Sequence, residues 1–198
     1  MPLDIVLALA LFTFATAFTP GPNNIMVTAS GVNFGFARTI PHMAGITIGF
    51  MVLVAACAAG LGALFTAAPA LQLALKIIGA LYMLWLAWKV ANARPSGEDG
   101  DDMARPLTFL QAAAFQWVNP KAVVIALTAI SLYVRPDHRV TDILIVLVLF
   151  GLFTALTVIT WTGFGVALRS VLRDPRRARI FNIVMALLLV ASIVPMVV

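Results

Sequence analysis

Two short motifs set polar and helix-breaking residues inside apolar sequence: "TPGPNN" at 19–24 and "WVNPKA" at 117–122. Proline removes a backbone donor, and its ring clashes with the preceding turn. Pro20 and Pro22 flank Gly21, so the chain is expected to unwind here rather than merely kink. In hydrocarbon the freed N–H and C=O groups must be met by protein or by a watered cavity. A helix restarting near Pro22 offers unpaired N–H groups at its positive end, which suits a carboxylate. Asn23 and Asn24 add donors and acceptors at that level. In the second motif Asn119, next to Pro120, can do similar work. Lys121 brings a positive charge to membrane depth, where charge is costly and usually marks function. The competing readings are packing kinks at the prolines and a lysine that snorkels to an interface. Two motifs at equivalent places, both with Asn and one with Lys, favour a binding site.

Further titratable residues lie near the apolar runs. Lys76 falls about two turns inside the third run, as a proton carrier or an interface anchor. Asp4 and Asp142 are the acids nearest the membrane and map toward the outer face. They read as proton relays or, more simply, as helix caps and solvated ends. His42 stands where the second run begins, a place that suits an imidazole able to titrate near neutral pH or one that is interfacial only. No Asp or Glu lies deep in a run. A substrate ammonium would therefore meet carbonyls, Asn oxygens, or the aromatic faces of Phe115 and Trp117. A solute with one positive charge is favoured over one with two.

The elements that must position these residues follow from composition. Of 198 residues, 62% are hydrophobic and 11% charged, and mean hydropathy is +1.03. Lipid, not water, is the solvent for most of such a chain. The net charge of +5 then reports membrane orientation, and no basic stripe interleaved with aromatics points to nucleic acid. Cys57 is the only cysteine; it reads as a small core residue, with no disulfide, metal or cofactor expected. The apolar start has Asp4 as its only early charge and no basic n-region, so it reads as a retained first span, not a signal peptide.

Apolar runs of spanning length fall at roughly 3–19, from after Pro41 to 65, 69–91, 107–134, 142–168, and 180 to the end. The hydrophilic linker 92–106 divides the chain into halves, 1–91 and 107–198, of three runs each. Three is odd, so halves of one fold would enter the membrane from opposite faces, as in the inverted repeats of many secondary transporters. Each half carries its break in its first run. Loops at about 35–41, 92–106 and 169–179 hold, with Lys89 just before the second, Arg38, Arg94, Arg105, Arg169, Arg173, Arg176, Arg177 and Arg179, against Arg135 and Arg139 opposite. That bias puts those three loops in the cytoplasm and both termini outside. Trp85 and Trp88 fit an interfacial belt. Gly45 and Gly49 form a GxxxG, read first as packing within the bundle and, as the sharper alternative, as a homodimer interface. The arginines of 169–179 suit anionic lipid.

"FTPGPNN", "KIIGALYMLWLAWK" at 76–89 and "FQWVNPKA" at 115–122 together resemble the LysE/RhtB family of bacterial amino-acid exporters, over essentially the whole chain. The resemblance implies a six-helix inner-membrane protein that exports amino acids or related metabolites by proton antiport. It implies functional roles for Pro20, Gly21, Pro22, Asn23, Asn24, Asn119, Pro120 and Lys121. No nucleotide-binding GxxxxGK[ST] is present, which agrees with a gradient-driven carrier. The alternative, a membrane-embedded enzyme acting on lipid-linked or small apolar substrates, would need acids, histidines or a serine nucleophile clustered at depth. A non-transporting structural subunit would have no need of two polar breaks.

Overall fold

A computed structural model describes residues 1–62, 67–93, 105–172 and 174–194 of the chain. Most of the 92–106 linker, with Arg94 and the acidic run from Glu98 to Asp102, lies outside the described residues, as does Arg173.

The described residues form eight α-helices: α1 (Leu3–Phe18), α2 (Pro22–Phe34), α3 (Phe36–Ala56), α4 (Pro69–Ala91), α5 (Phe109–Val118), α6 (Pro120–Tyr133), α7 (Arg139–Leu168) and α8 (Pro175–Ala191). Both motifs break helices. α1 and α2 meet at 54° across Thr19–Gly21, and α5 and α6 at 68° across Asn119. α2 and α6 each restart with proline in the first position, where the missing N–H costs nothing and φ is already helical. α5 opens on a capping box in which Thr108 Oγ1 accepts from the Gln111 N–H and Gln111 Oε1 from the Thr108 N–H.

Gly35, at φ +83°, turns the chain between α2 and α3, in the left-handed region that glycine enters freely. α3 begins at Phe36 and runs through Pro41, several residues earlier than the proline predicts. It ends in a π-helical turn, Cys57–Leu61.

Segments 36–61, 72–91 and 136–168 are long and apolar enough to cross a membrane, and each bent pair meets the same test as one broken span. Among the described residues there are thus three to five candidate spans, against six expected. α8 accounts for the difference. It has 17 residues, and Arg176, Arg177 and Arg179 occupy its start, leaving a short apolar stretch.

Polarity is inverted relative to a soluble bundle. Exposed leucines and valines run along α1 (Leu3, Leu7, Leu11) and α7 (Leu144, Val148, Leu152), while Asn24, Asn33, Gln116, Asn119, Thr157 and Asn182 are buried. Lipid tolerates the first set, and helix neighbours must satisfy the second. Glycine lets the inner helices approach closely. A Cβ on Gly165 of α7 would strike the Thr28 carbonyl of α2, and one on Gly31 of α2 would lie 2.5 Å from the Thr162 carbonyl of α7. Gly45 and Gly49 press α3 against Phe109 and Ala113 of α5. The GxxxG is therefore used within the bundle.

Candidate substrate-binding site

The two breaks come together. Lys121 Nζ, at the start of α6, donates to the Thr19 carbonyl at the end of α1 at 2.6 Å. Asn24 Nδ2 donates to the same carbonyl at 3.1 Å and to that of Ala17 at 2.9 Å. Carbonyls released by the prolines thus find an ammonium and an amide, which backbone away from water requires. Asn23 exchanges two hydrogen bonds with Gln116 of α5, at 2.8 and 3.2 Å, and Gln116 also donates to the Ala112 carbonyl. Each half-helix pair is so tied to the other by side chains of the motif itself.

Between the breaks lies a cavity of about 60 Å³, lined by Gly21, Pro22, Asn23, Asn24, Asn119 and Lys121, with Thr154 and Thr157 of α7 and apolar Phe50 and Phe150. Such a volume holds a few waters or the polar end of a small solute. Thr154 and Thr157 stand near the middle of the thirty-residue α7. Two helix N-termini open on the cavity without a side-chain cap. Their free N–H groups and the Lys121 ammonium supply donors and positive character. Asn119 Oδ1 and Thr157 Oγ1 are buried without a hydrogen-bond partner. Unpaired buried oxygens are rare and costly, and here they present acceptors to a cationic group. The cavity is thus lined by both donors and acceptors, as a zwitterion needs.

The remaining sequence-predicted residues scatter. Pro20 is exposed beside the break. Pro120 opens α6. Phe115 is buried in the core, stacked at 5.6 Å on Tyr82, and Trp117 packs in a second apolar cluster; neither lines the cavity. Lys76 is exposed on α4 and Asp4 on the first turn of α1. His42 is buried against a different cavity. Gln116, Thr154 and Thr157 escaped the sequence reading. Gln116 stood within a quoted motif, and the threonines sit three apart on one face of α7.

Asp142 is no solvated helix end. It is fully buried in the first turn of α7, accepting from Arg135 Nε at 2.7 Å and Nη2 at 2.9 Å, with the Met1 amino group 3.6 Å away. A bidentate pair of this kind is worth most when one partner is shut from water, and breaking it strands the other. Arg135→Gln is expected to lower the unfolding temperature of the purified protein in detergent, and Arg135→Gln/Asp142→Asn by less than the two single changes summed. Additive losses would refute the coupling.

The family profile described as "LysE type translocator" matches residues 14–193. The chain is 36% identical over 183 residues, 90% of either chain, to the "Cysteine/O-acetylserine efflux protein" of Escherichia coli strain K12, and equally so to those of E. coli O9:H4 (strain HS) and Shigella flexneri serotype 5b. No solved structure matches it. With the matched region covering both breaks and the cavity between them, the chain belongs to the LysE type translocator family.

Proposed function

We propose that the protein exports neutral amino acids or close derivatives across the bacterial inner membrane, by proton antiport, from the cavity between the two breaks. The observation that carries this reading is that one cavity gathers cationic donors and unpartnered acceptors. The Lys121 ammonium, two uncapped helix starts, and the residues that carry the unpartnered Asn119 Oδ1 and Thr157 Oγ1 all line one space of about 60 Å³. The substrate carboxylate lies against Lys121 and the N–H groups of α2 and α6; its ammonium lies against the two unpartnered oxygens. No carboxylate lines the cavity, so a second positive charge on the solute would lack a partner. Small neutral solutes of the kind named for the relatives, cysteine and O-acetylserine, match the apolar walls and limited volume.

In this reading two inverted three-helix repeats, 1–91 and 107–198, rock about the breaks to give alternating access. The arginine-rich loops lie in the cytoplasm and the termini outside. His42, Lys76, Asp4 and Asp142 are the candidate proton carriers. Lipid surrounds the bundle, and a homodimer remains compatible with its exposed apolar faces. Among the described residues no group of three His, Cys, Asp or Glu could hold a metal, and none gathers at the cavity for hydrolytic chemistry, so a membrane-embedded enzyme is the weaker reading.

The test is flux. Purified protein in liposomes loaded with O-acetyl-L-serine should release it faster than empty liposomes, and faster still with the receiving side acidic. Lysine, loaded alike, should leave several-fold more slowly. Release no faster than from protein-free liposomes, for a panel of neutral amino acids, would refute export. Flux indifferent to the pH gradient would refute antiport alone.

A further inference from the structure

A second cavity, of about 50 Å³, lies beside the far end of α2, between α2, α3, α4 and the segment leading into α5. Its polar lining is Ser30, Asn33, His42, Lys89 and Arg105. His42 is 2% exposed, and neither ring nitrogen has a hydrogen-bond partner. An imidazole buried without partners carries a penalty that a ligand in the adjoining space would remove. The other polar groups are held in place. Ser30 and Thr39 hydroxyls bond at 2.8 Å, Asn33 and Asn182 exchange two amide bonds at 2.9 and 3.1 Å, and Asn182 also donates to the Ala93 carbonyl. Lys89 sits 5.1 Å from the Trp85 ring centroid. Among the described residues, the charged side chains lining the cavity are Lys89 from α4 and Arg105 from the segment before α5, both cations.

The two cavities flank one apolar plug. Met26, Ile46 and Val158 belong to a single buried cluster; Met26 borders the second cavity, while Ile46 and Val158 border the first. α2 runs the length between them. A solute leaving one cavity along α2 meets the other after passing this plug.

We propose that the second cavity is a separate carboxylate-binding station for the transported amino acid, with Lys89 supplying the cation and His42 an N–H donor, on the side of the plug that carries the arginine-rich loops. It rests on the export reading, and adds to it a loading site distinct from the Lys121 cavity. An imidazole N–H and the Lys89 ammonium together give the solute's carboxylate two donors.

The chain has two histidines, His42 and His138, and His138 is exposed. Protein labelled with ¹⁵N-histidine, in detergent micelles, therefore gives two sets of ring signals, assigned with His138→Gln. Titration with O-acetyl-L-serine should move the His42 signals saturably, and the carboxamide of the same solute should not. The shift should persist in Lys121→Ala, which cripples only the first cavity, and should need about tenfold more solute in Lys89→Gln, one charge-assisted contact having been removed. His42 signals that stay fixed while the intact protein still exports O-acetylserine from liposomes would overturn the second station and leave the function standing. Fixed signals together with no flux would overturn both. A shift in the intact protein that vanishes in Lys121→Ala would show one site, not two, and would also overturn the proposal.

Discussion

Lys121→Ala should lower the initial rate of O-acetylserine efflux from liposomes, at low solute concentration, by roughly one to two orders of magnitude. A hydrogen bond to a charged group contributes about 1.5–3 kcal/mol, and each ~1.4 kcal/mol is a factor of ten. The lysine is half-buried, and its Nζ is held 2.6 Å from the Thr19 carbonyl, so it is already aimed when solute arrives. Its removal takes the one ammonium from the cavity and leaves the carboxylate with helix N–H groups only. It also leaves the Thr19 carbonyl with Asn24 as its remaining side-chain partner. Lys121→Arg keeps the charge but needs more room. A Cβ on Gly21 would already lie 3.0 Å from the Lys121 Cδ and 3.1 Å from its Nζ, so the larger guanidinium should restore only part of the rate. Asn23→Ala should cost less, because Asn23 is engaged with Gln116 and acts by bracing the two breaks. A full efflux rate from Lys121→Ala would show that the site lies elsewhere, while the family assignment and the export reading would survive it.

The site's backbone was legible in the sequence, and its far wall was not. Pro20, Gly21, Pro22 and Pro120 act locally, through lost donors and fixed φ, and local rules read directly from a chain. That the two breaks serve one binding site is the expectation from their matched placement. The contacts that join them, Lys121 to Thr19 and Asn23 to Gln116, span about a hundred positions of sequence and depend on how the bundle closes. Thr157 was hidden for a different reason. In a soluble helix a polar face announces which side is solvent. In lipid both faces of α7 are apolar, and a threonine bonding back to its own helix, as Thr160 does to the Leu156 carbonyl, looks in sequence like one that lines a cavity. The burial of Asp142 is not legible because the rule for an acid in a first turn concerns the helix dipole, whereas Arg135, seven residues back, pairs with it through two hydrogen bonds. The start of α3 was placed late because Pro41 is taken as a boundary; its exposed side lets the ring stand clear of the bundle while the helix continues.

Gly165→Ala and Gly163→Ala, two positions apart on α7, should behave oppositely. A Cβ at Gly163 meets nothing within 4 Å, whereas at Gly165 it strikes the backbone carbonyl of Thr28 in α2. A flexible side chain can swing aside, but a helix carbonyl moves only with its helix. Overpacking of this kind costs about 1–3 kcal/mol, which for a chain of this length corresponds to roughly 2–12 °C in unfolding temperature. The Gly163 variant should remain within about 0.5 kcal/mol of the parent, as open positions do. Gly31→Ala approaches the same interface from α2, against the Thr162 carbonyl, so the Gly31→Ala/Gly165→Ala double variant should lose less than the sum of the two: once either alanine has pushed the helices apart, the second has room. The consequence reaches the site, since α2 carries Pro22, Asn23 and Asn24 at its start and Asn33 at its end. Displacing it from α7 draws the Pro22 helix start away from Thr157 and widens the space a solute must bridge. Efflux in Gly165→Ala should therefore fall even below the temperature at which the protein begins to unfold, and by a weaker hold on solute, seen as a raised KM more than a lowered maximal rate. A variant that unfolds earlier yet exports with an unchanged KM would show that the α2–α7 contact supports the fold without setting the cavity's width.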